Sequence, residues 1–313
     1  MNALSPALLI AGHSIRLVLR EHIVALLAVM FGMLVLISAW LGWQATFTVN
    51  QIYLDAAAFL QATGKPVPTN PVLDISPLSL MRNMSVYVSL IGALAAIVIG
   101  NRLITLDRKA GVLPLIGVRP LDSTAYARGK MTALAVLILA LGTVAAVVSV
   151  LVYTVLPAIS VTASQWLQLA GFFGLSTLYL AIHGLIGMTA GAMARSESVG
   201  LLVPVSLWLA LTFILPQLTG NLNPTAAINP IAALAAPPDT AFFRAMGQIL
   251  GSVSLADAYK FGSANLLDLT PAGIASPALL PPLGVLVLAA MVLLGVTWRA
   301  LTAMNMAQGE FDA

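Results

Sequence analysis

Apolar runs of about 20 residues recur six times along this chain, and their length limits the folds that it can adopt. They cover residues 23–46, 83–101, 131–156, 168–193, 198–216 and 279–298. A helix of that length crosses the hydrocarbon core of a bilayer, and in lipid only helices and closed barrels satisfy all their backbone hydrogen bonds. We therefore predict an all-α polytopic membrane protein with six transmembrane helices, formed by residues 1–313 as a single domain.

The composition agrees with a membrane protein and excludes several functional classes. Hydrophobic residues make up 60% of the chain, charged residues only 8%, and the mean hydropathy is +0.99, whereas soluble domains carry about 25% charged residues. No cysteine is present, which excludes disulfides, thiolate metal sites and cysteine nucleophiles. A net charge of only +3 does not indicate nucleic-acid binding, and the basic residues are better explained as determinants of membrane topology.

Basic residues are distributed unevenly between the two sides of the membrane. With a cytoplasmic N-terminus, the cytoplasmic segments hold ten of the fourteen Lys and Arg residues and the outer segments hold four. The cytoplasmic segments are then 1–22, 101–130, 194–197 and 299–313. Since cytoplasmic loops carry an excess of Lys and Arg, both termini are predicted to be cytoplasmic.

Two outer segments are long. Residues 47–82 are rich in Pro, Thr and Asn, and we predict an irregular loop there. Residues 217–278 form the outer loop before the last span. Within it we predict two short helices, at about 238–251 and 254–267, with Asp239 and Ser254 as their N-caps.

The N-terminal residues have the pattern of an amphipathic helix. Apolar residues stand at helical spacing between residues 4 and 20, and basic residues lie between them. The apolar positions are Leu4, Leu8, Ala11, Ile15 and Leu19, and the polar ones are His13, Arg16 and Arg20. The pattern predicts a helix lying on the membrane surface before the first span; the alternative is a short, frayed cytoplasmic segment.

Segment 101–130 is the one strongly charged stretch, with six basic residues against Asp107 and Asp122. Its centre is apolar. Gly111 and Gly117 permit turns there, and Pro120 ends a short helix. A short helix that is apolar on one face and basic at its ends suits docking into a groove of another protein. The alternative is an ordinary basic loop whose apolar residues contact lipid.

The order of residues in this segment resembles a known family. In sequence it contains a charged run ending in glycine, an apolar patch, an Arg-Pro pair and a Gly-Lys pair: Asp107-Arg108-Lys109-Ala110-Gly111, Leu113 to Ile116, Arg119-Pro120 and Gly129-Lys130. This arrangement resembles the coupling region of ABC exporter permeases of the type-2 class. Residues 183–203 are similar to that family's hairpin between the fourth and fifth spans, and residues 1–22 are similar to its elbow helix.

A weaker similarity lies before the last span. Asn229-Pro230 and Ala258-Tyr259-Lys260 are similar to pieces found there in permeases such as the one that serves nitrous-oxide-reductase maturation.

The resemblance implies a transmembrane subunit of an ATP-driven exporter in the bacterial inner membrane. The chain itself would not be an enzyme and would hold no cofactor, while ATP and Mg would bind two copies of a separate ATPase subunit. A second permease, either an identical copy in a homodimer or a homologue, and a periplasmic accessory protein are the other expected partners. The residues implied to couple the ATPase to the spans are Gly111, Leu113, Leu115, Ile116, Arg119, Pro120, Gly129 and Lys130.

The absence of a nucleotide-binding motif agrees with a separate ATPase subunit. The chain contains no G-x-x-x-x-G-K-[ST] phosphate-binding loop, so a nucleotide is expected to bind another polypeptide. An alternative function is a non-transporting membrane anchor or assembly subunit of a periplasmic or respiratory complex. An intramembrane enzyme is disfavoured, because neither paired acidic residues nor a Ser-His constellation lies in or near the spans.

Within the spans, His183 is the candidate intramembrane polar site. Ionisable residues in a membrane often mark function, although a neutral histidine also forms ordinary hydrogen bonds to a neighbouring helix. A series of small residues lies on the same span: Gly171, Gly174, Gly184, Gly187 and Gly191. Small residues allow close approach of helices, so this series predicts a packing face, either inside one subunit or between two. Pro204 is expected to kink the fifth span.

Overall fold

The computed structural model describes residues 5–70, 76–109, 122–155, 161–218, 240–251, 254–269 and 278–304. Helices dominate these ranges, and no strand occurs in them. The α-helices, in chain order, are α1 Pro6–Leu19, α2 His22–Ala62, α3 Arg82–Tyr87, α4 Ala93–Lys109, α5 Ser123–Val155, α6 Ala163–Met193, α7 Glu197–Leu209, α8 Leu215–Leu218, α9 Ala241–Leu250, α10 Leu255–Leu266 and α11 Leu280–Ala303.

Irregular turns join several of these helices into longer rods. A 3₁₀ turn, Pro77–Met81, leads into α3, and a π turn, Val88–Gly92, joins α3 to α4. A second π turn, Ala210–Ile214, joins α7 to α8. Counted with these turns, six helices of the described chain are long and apolar enough to cross a membrane. For the described residues, the coarse prediction of an all-helical chain with six helices suited to a polytopic membrane protein is confirmed.

The first span is much longer than predicted. We expected a helix over 23–46 followed by an irregular loop, but α2 continues to Ala62 without interruption. At a rise of about 1.5 Å per residue it is roughly 60 Å long, about twice the hydrocarbon core. The prediction of a loop was wrong for 47–62, because these residues are less apolar than a span yet contain several good helix formers and neither Pro nor Gly.

The end of α2 is fixed by a glycine. Gly64 has a φ of +68°, which a glycine adopts without the steric cost that other residues incur. The Lys65 N–H donates to the Leu60 carbonyl at 3.0 Å, and the Gly64 N–H donates to the Gln61 carbonyl at 3.1 Å. These two bonds are the Schellman pattern of a helix C-terminus. The first glycine after Gly42 therefore ends the helix.

The closest packing in the molecule is between α4 and α6. A Cβ atom built at Gly187 would lie 2.1 Å from the Ile97 carbonyl oxygen, and one at Gly100 would lie 2.0 Å from the Gly184 oxygen. The two backbones are therefore in direct contact, as small residues permit. Of the two alternatives for the glycine series, Gly184, Gly187 and Gly191 serve packing inside one chain; Gly174 has no atom within 4 Å of its added Cβ.

The two short helices predicted before the last span are present. They are α9 and α10, and the Ser254 hydroxyl accepts a hydrogen bond from the Asp257 N–H at 3.2 Å. Ser254 is therefore an N-cap, as predicted. Asp239, the other predicted N-cap, lies outside the described residues. α10 packs against α6 and α11.

The predicted N-terminal helix is also present, as α1. It packs along α5 and buries Ala11, Ser14 and Val18. The contact is close, because a Cβ atom at Gly129 of α5 would lie only 2.8 Å from the Ala7 carbonyl oxygen. Its position relative to a membrane surface stays a prediction.

Candidate functional site

Polar side chains concentrate around the last three turns of α4, at the end of the bundle predicted to be cytoplasmic. The sequence there is NRLITLDRK, residues 101–109. Helical periodicity places Asn101, Thr105 and Arg108 on one face and Leu103 and Asp107 on nearly the opposite face. We call this end of α4 and its polar contacts the α4 hub.

On the face of α4 that carries Leu103 and Asp107, a buried ion pair joins three helices. The Lys130 ammonium of α5 lies 2.6 Å from Asp107 Oδ2, and their side chains are only 1% and 7% exposed. Lys130 Nζ also donates to Ser14 Oγ of α1 at 2.9 Å and to the Leu103 carbonyl at 2.6 Å. The Tyr126 hydroxyl donates to Asp107 Oδ2 at 3.0 Å. All three protons of the ammonium therefore have acceptors, the condition under which a buried charge is tolerated.

On the face of α4 that carries Asn101 and Arg108, polar contacts tie the helix to the turn between α6 and α7. Arg108 Nη1 donates to the carbonyl oxygens of Gly191 at 3.1 Å and Ala194 at 2.6 Å. These carbonyls belong to the end of α6, where the last turn lacks intrahelical donors. Arg102 forms a 2.6 Å ion pair with Glu197, which stands in the first turn of α7, where a helix favours negative charge.

Asn101 compensates for a proline in the fifth span. Pro204 has no N–H and therefore cannot donate to the carbonyl of Gly200, four residues earlier in α7. The Asn101 amide donates to that carbonyl instead, at 2.7 Å, and is buried. A polar side chain from a neighbouring helix that replaces the lost hydrogen bond is how membrane helices tolerate an internal proline. Pro204 lies within α7 without ending it.

This pairing predicts a specific coupling between the two residues. Asn101→Ala leaves the Gly200 carbonyl without a donor and should cost about 1–3 kcal/mol of stability. In a Pro204→Ala background the new N–H of residue 204 can serve that carbonyl, so the same change at Asn101 should cost clearly less. Thermal unfolding of the four purified variants in detergent measures both costs, and equal costs in the two backgrounds would rule out the compensation.

The predicted coupling residues fall into two groups. Gly111, Leu113, Leu115, Ile116, Arg119 and Pro120 lie in 110–121, outside the described residues. Gly129 and Lys130 are both buried in the interior of the α4 hub, Gly129 against α1 and Lys130 against Asp107. The structure thus brings Lys130 together with side chains of α1 and α4 and leaves it almost no accessible surface.

Sequence reasoning missed Ser14 and Tyr126 as members of the hub. The available signal was indirect: Asp107 and Lys130 stand at the facing ends of two successive spans, and each of these charged residues needs a partner if it is buried. Nothing in the sequence pattern marked the hydroxyl groups that complete the cluster.

His183 lies in a second polar cluster, near the middle of α6. Its side chain is fully buried, and Nδ1 donates to the Tyr179 carbonyl at 2.9 Å. The Tyr179 ring lies between the His183 ring and the Tyr259 ring of α10, with centroids 4.4 Å apart on each side. The Tyr259 hydroxyl lies 2.9 Å from Ser176 Oγ. Within the described residues His183 Nε2 has no hydrogen-bond partner.

Two apolar grooves open on the sides of the bundle. One, of about 540 Å³, lies between α2 and α5 and is lined in part by Trp40, Trp43 and Leu151. The other, of about 370 Å³, lies among α6, α7 and α11 and includes Met193 and Pro204. Both linings are almost wholly apolar, which suits hydrocarbon. Across the ranges that the structure describes, no three His, Asp or Glu side chains come together as metal ligands would.

Comparison of the chain with protein-family models and with curated proteins finds no match in either case.

Proposed function

We propose that this chain is the transmembrane subunit of an ATP-driven exporter of the type-2 ABC class. In this proposal two copies of a separate ATPase, which bind ATP and Mg, dock on residues 110–121 of two permeases. The two permeases are identical copies or homologues, and the assembly lies in a bacterial inner membrane with both termini cytoplasmic. The observation that carries the proposal is the buried Asp107–Lys130 pair, because it clamps together the two helices that flank the proposed docking segment.

The clamp supports force transmission for a geometric reason. The segment begins after Lys109 at the end of α4 and returns at Asp122, just before α5. Asp107 is two residues before one flank, and Lys130 is eight residues after the other. A displacement of the segment would therefore move α4 and α5 as a unit. It would also move α1 through Ser14 and the α6–α7 turn through Arg108.

The apolar lining of both grooves supports an apolar or amphipathic cargo. The chain would not hydrolyse ATP by itself, since its sequence contains no phosphate-binding loop.

Docking on the segment predicts a charge-sensitive interface. Leu113→Asp combined with Leu115→Asp should prevent seating in an apolar groove, because a carboxylate would have to lose its hydration there. We expect the affinity-tagged double variant to insert into membranes and to lose at least nine-tenths of the Walker-motif ATPase that the unchanged permease copurifies. Quantitative mass spectrometry of the two purifications measures the loss.

The control adds the same two charges at the other end of the molecule. Gln61→Asp with Thr63→Asp changes exposed positions at the far end of α2 and should leave the ATPase complement unchanged. The proposal is contradicted if the Leu113/Leu115 variant copurifies as much ATPase as the unchanged permease. It is also contradicted if no ATPase copurifies with the unchanged permease.

One observation favours a second candidate, the membrane anchor of an extracytoplasmic partner. Residues 47–62 continue α2 past the predicted first span and expose apolar side chains, among them Ile52 at 64% and Phe59 at 68%. Deleting most of this extension would distinguish the functions. If the chain is an exporter that needs no such partner, the shortened variant keeps its coupled ATPase activity. If the chain is an anchor, the shortened variant loses the partner, and neither the natural chain nor the variant binds an ATPase.

A further inference from the structure

The apolar groove among α6, α7 and α11 begins at the turn that joins α6 to α7. Its lining runs from Ile186 to Ala194 on one side of the turn and from Val199 to Leu207 on the other. Because a short turn joins the two helices and they pack together, they are antiparallel neighbours, and both stretches start at the same end of the bundle. Each stretch covers eight residue steps, 186 to 194 and 199 to 207. At a rise of about 1.5 Å per residue the groove is roughly 12 Å deep, close to the depth of one leaflet of a hydrocarbon core of about 30 Å.

The wall of the groove near the turn is open to the surroundings of the bundle. Met193 is 70% exposed, Val203 is 55% exposed and Val199 is 48% exposed. These large apolar side chains stand on helices that are long enough to cross a membrane. A contiguous apolar surface of this kind marks contact with lipid or with another protein.

The end of the groove at the turn carries positive charge. Arg195 directly follows Ala194, which lines the groove, and its side chain is exposed. On α11, the Thr297 hydroxyl lies 2.7 Å from the hydroxyl of Thr189, another lining residue. Arg299 comes two residues after Thr297 and is also exposed. As the fourth and sixth spans, α6 and α11 run in the same direction, so Arg299 lies on the side of this contact that leads to the turn.

The acidic residue closest in sequence to Arg195 does not neutralise it. That residue is Glu197, in the first turn of α7, and it forms its ion pair with Arg102 of α4. The pair leaves Arg195 and Arg299 as two exposed guanidinium groups beside an apolar groove. The planar donors of a guanidinium group match the geometry of a phosphate, and the long side chain of arginine lets it reach the headgroup level of a membrane.

An occupant of this groove must therefore be apolar along its length and negatively charged at one end. We propose that the groove binds one anionic phospholipid of the leaflet on the side of the α4 hub. An acyl chain lies along Val199 and Val203 of α7, and the headgroup phosphate lies between Arg195 and Arg299. The lipid is a resident ligand of the protein, and its site exists whether or not the chain binds an ATPase.

A second copy of the chain fits this groove less well than a lipid does. In a twofold contact about an axis along the membrane normal, both copies present the same surface patch. Arg195 and Arg299 of the two copies would then meet at one level of the membrane, and like charges brought together disfavour the contact. A lipid phosphate instead neutralises the two side chains.

Single-cysteine labelling with spin-labelled lipids tests the proposal, because the natural chain contains no cysteine. Leu202→Cys carries a fluorophore on α7 beside the groove, at a position where the natural side chain is 61% exposed. Leu139→Cys on α5, where leucine is 57% exposed, is the reference away from the groove. The full chain is reconstituted in phosphatidylcholine vesicles with a small fraction of nitroxide-labelled phosphatidylglycerol or of nitroxide-labelled phosphatidylcholine. The measured quantity is the ratio of quenching by labelled phosphatidylglycerol to quenching by labelled phosphatidylcholine, in which the depth of the fluorophore cancels.

We expect the quenching ratio at 202 to be at least twice the ratio at 139. Arg195→Gln combined with Arg299→Gln should lower the ratio at 202 to the ratio at 139. Each arginine close to an anionic headgroup strengthens binding about fivefold, so either change alone should weaken the binding of labelled phosphatidylglycerol by about that factor in a titration.

The control removes two exposed arginines elsewhere. Arg16→Gln with Arg20→Gln changes the end of α1 and should leave the ratio at 202 unchanged. Loss of the excess at 202 in this control would mean that lipid is attracted to the whole basic surface, and the proposal of a site would be wrong.

Three further results would overturn the proposal. The first is an equal ratio at 202 and 139 in the presence of both arginines. The second is an excess at 202 that survives the loss of Arg195 and Arg299. The third is protection of the label at 202 from both labelled lipids, since protein, such as a second copy of the chain, would then cover the groove.

Discussion

Replacing Gly187 by alanine is expected to force α4 and α6 apart and to destabilise the protein severely. The new Cβ would lie 2.1 Å from the Ile97 carbonyl oxygen, 2.8 Å from its carbon and 2.9 Å from its Cα. All three atoms are backbone, so no side-chain rotation relieves the overlap and the helices must separate. Overpacking in a well-packed core costs about 1–3 kcal/mol and sometimes more, and a clash with backbone belongs at or above the upper end of that range.

The matched control is Gly174→Ala on the same helix. Its added Cβ has no atom within 4 Å, and alanine is a better helix former than glycine by up to about 1 kcal/mol. Gly174→Ala should therefore unfold at the same temperature as the natural chain or slightly above it. Gly187→Ala should lose its monodisperse peak in size-exclusion chromatography at a temperature lower by at least several degrees. Equal behaviour of the two variants would contradict the direct contact of the two backbones.

Replacing Lys130 by methionine is the second change with a large expected effect. It leaves the Asp107 carboxylate buried without its ammonium partner, and breaking a buried ion pair in this way typically costs about 3–5 kcal/mol. The comparison is Glu197→Gln, which removes the charge of an ion pair of the same 2.6 Å length. Because the Glu197 side chain is 36% exposed while Arg102 is 12% exposed, water screens this pair in part, and a smaller cost than that of Lys130→Met is expected.

A double variant separates the ion pair from simple packing. Lys130→Met with Asp107→Leu removes both charges and should recover part of the stability lost by Lys130→Met alone, since an apolar pair carries no desolvation penalty. Thermal unfolding in one detergent, with the three variants and the natural chain side by side, measures these differences. A Lys130→Met variant as stable as the Glu197→Gln variant would mean that the pair is hydrated, and the α4 hub would then not act as a clamp.

The six spans could be predicted because length and hydropathy determine whether a helix crosses a bilayer. The residues at which these helices begin and end could not be predicted, since helix propensity and tertiary contacts determine them. Helix α5 begins at Ser123, not near 131, because its polar first turns pack beside α1, where Gly129 permits close approach. The glycine series of α6 indicated a packing face, but only the structure identifies α4 as the helix that it contacts.

Lys130 shows most clearly that a single sequence does not predict whether a charged side chain is buried. As part of a basic segment it was predicted to belong to the surface that couples to a partner, and the structure buries it against Asp107 and Ser14. Whether a charged residue is exposed or paired depends on residues distant in sequence, Ser14 being 116 positions away. A single sequence does not reveal such pairs. The role predicted for residues 110–121 stays a prediction, since they lie outside the described residues.

The length of α2 has a mechanical consequence. The helix is continuous from His22 to Ala62, so a tilt at one end moves the other end as part of one rigid rod. If its inner end is the pivot, a tilt of 10° would sweep the tip sideways by roughly 10 Å over a lever of about 60 Å. A small rearrangement at the inner end of α2 would thus be amplified at Phe59 and its neighbours. Motion of that size at the tip is large enough to measure as a change in distance between labels on α2 and on the bundle.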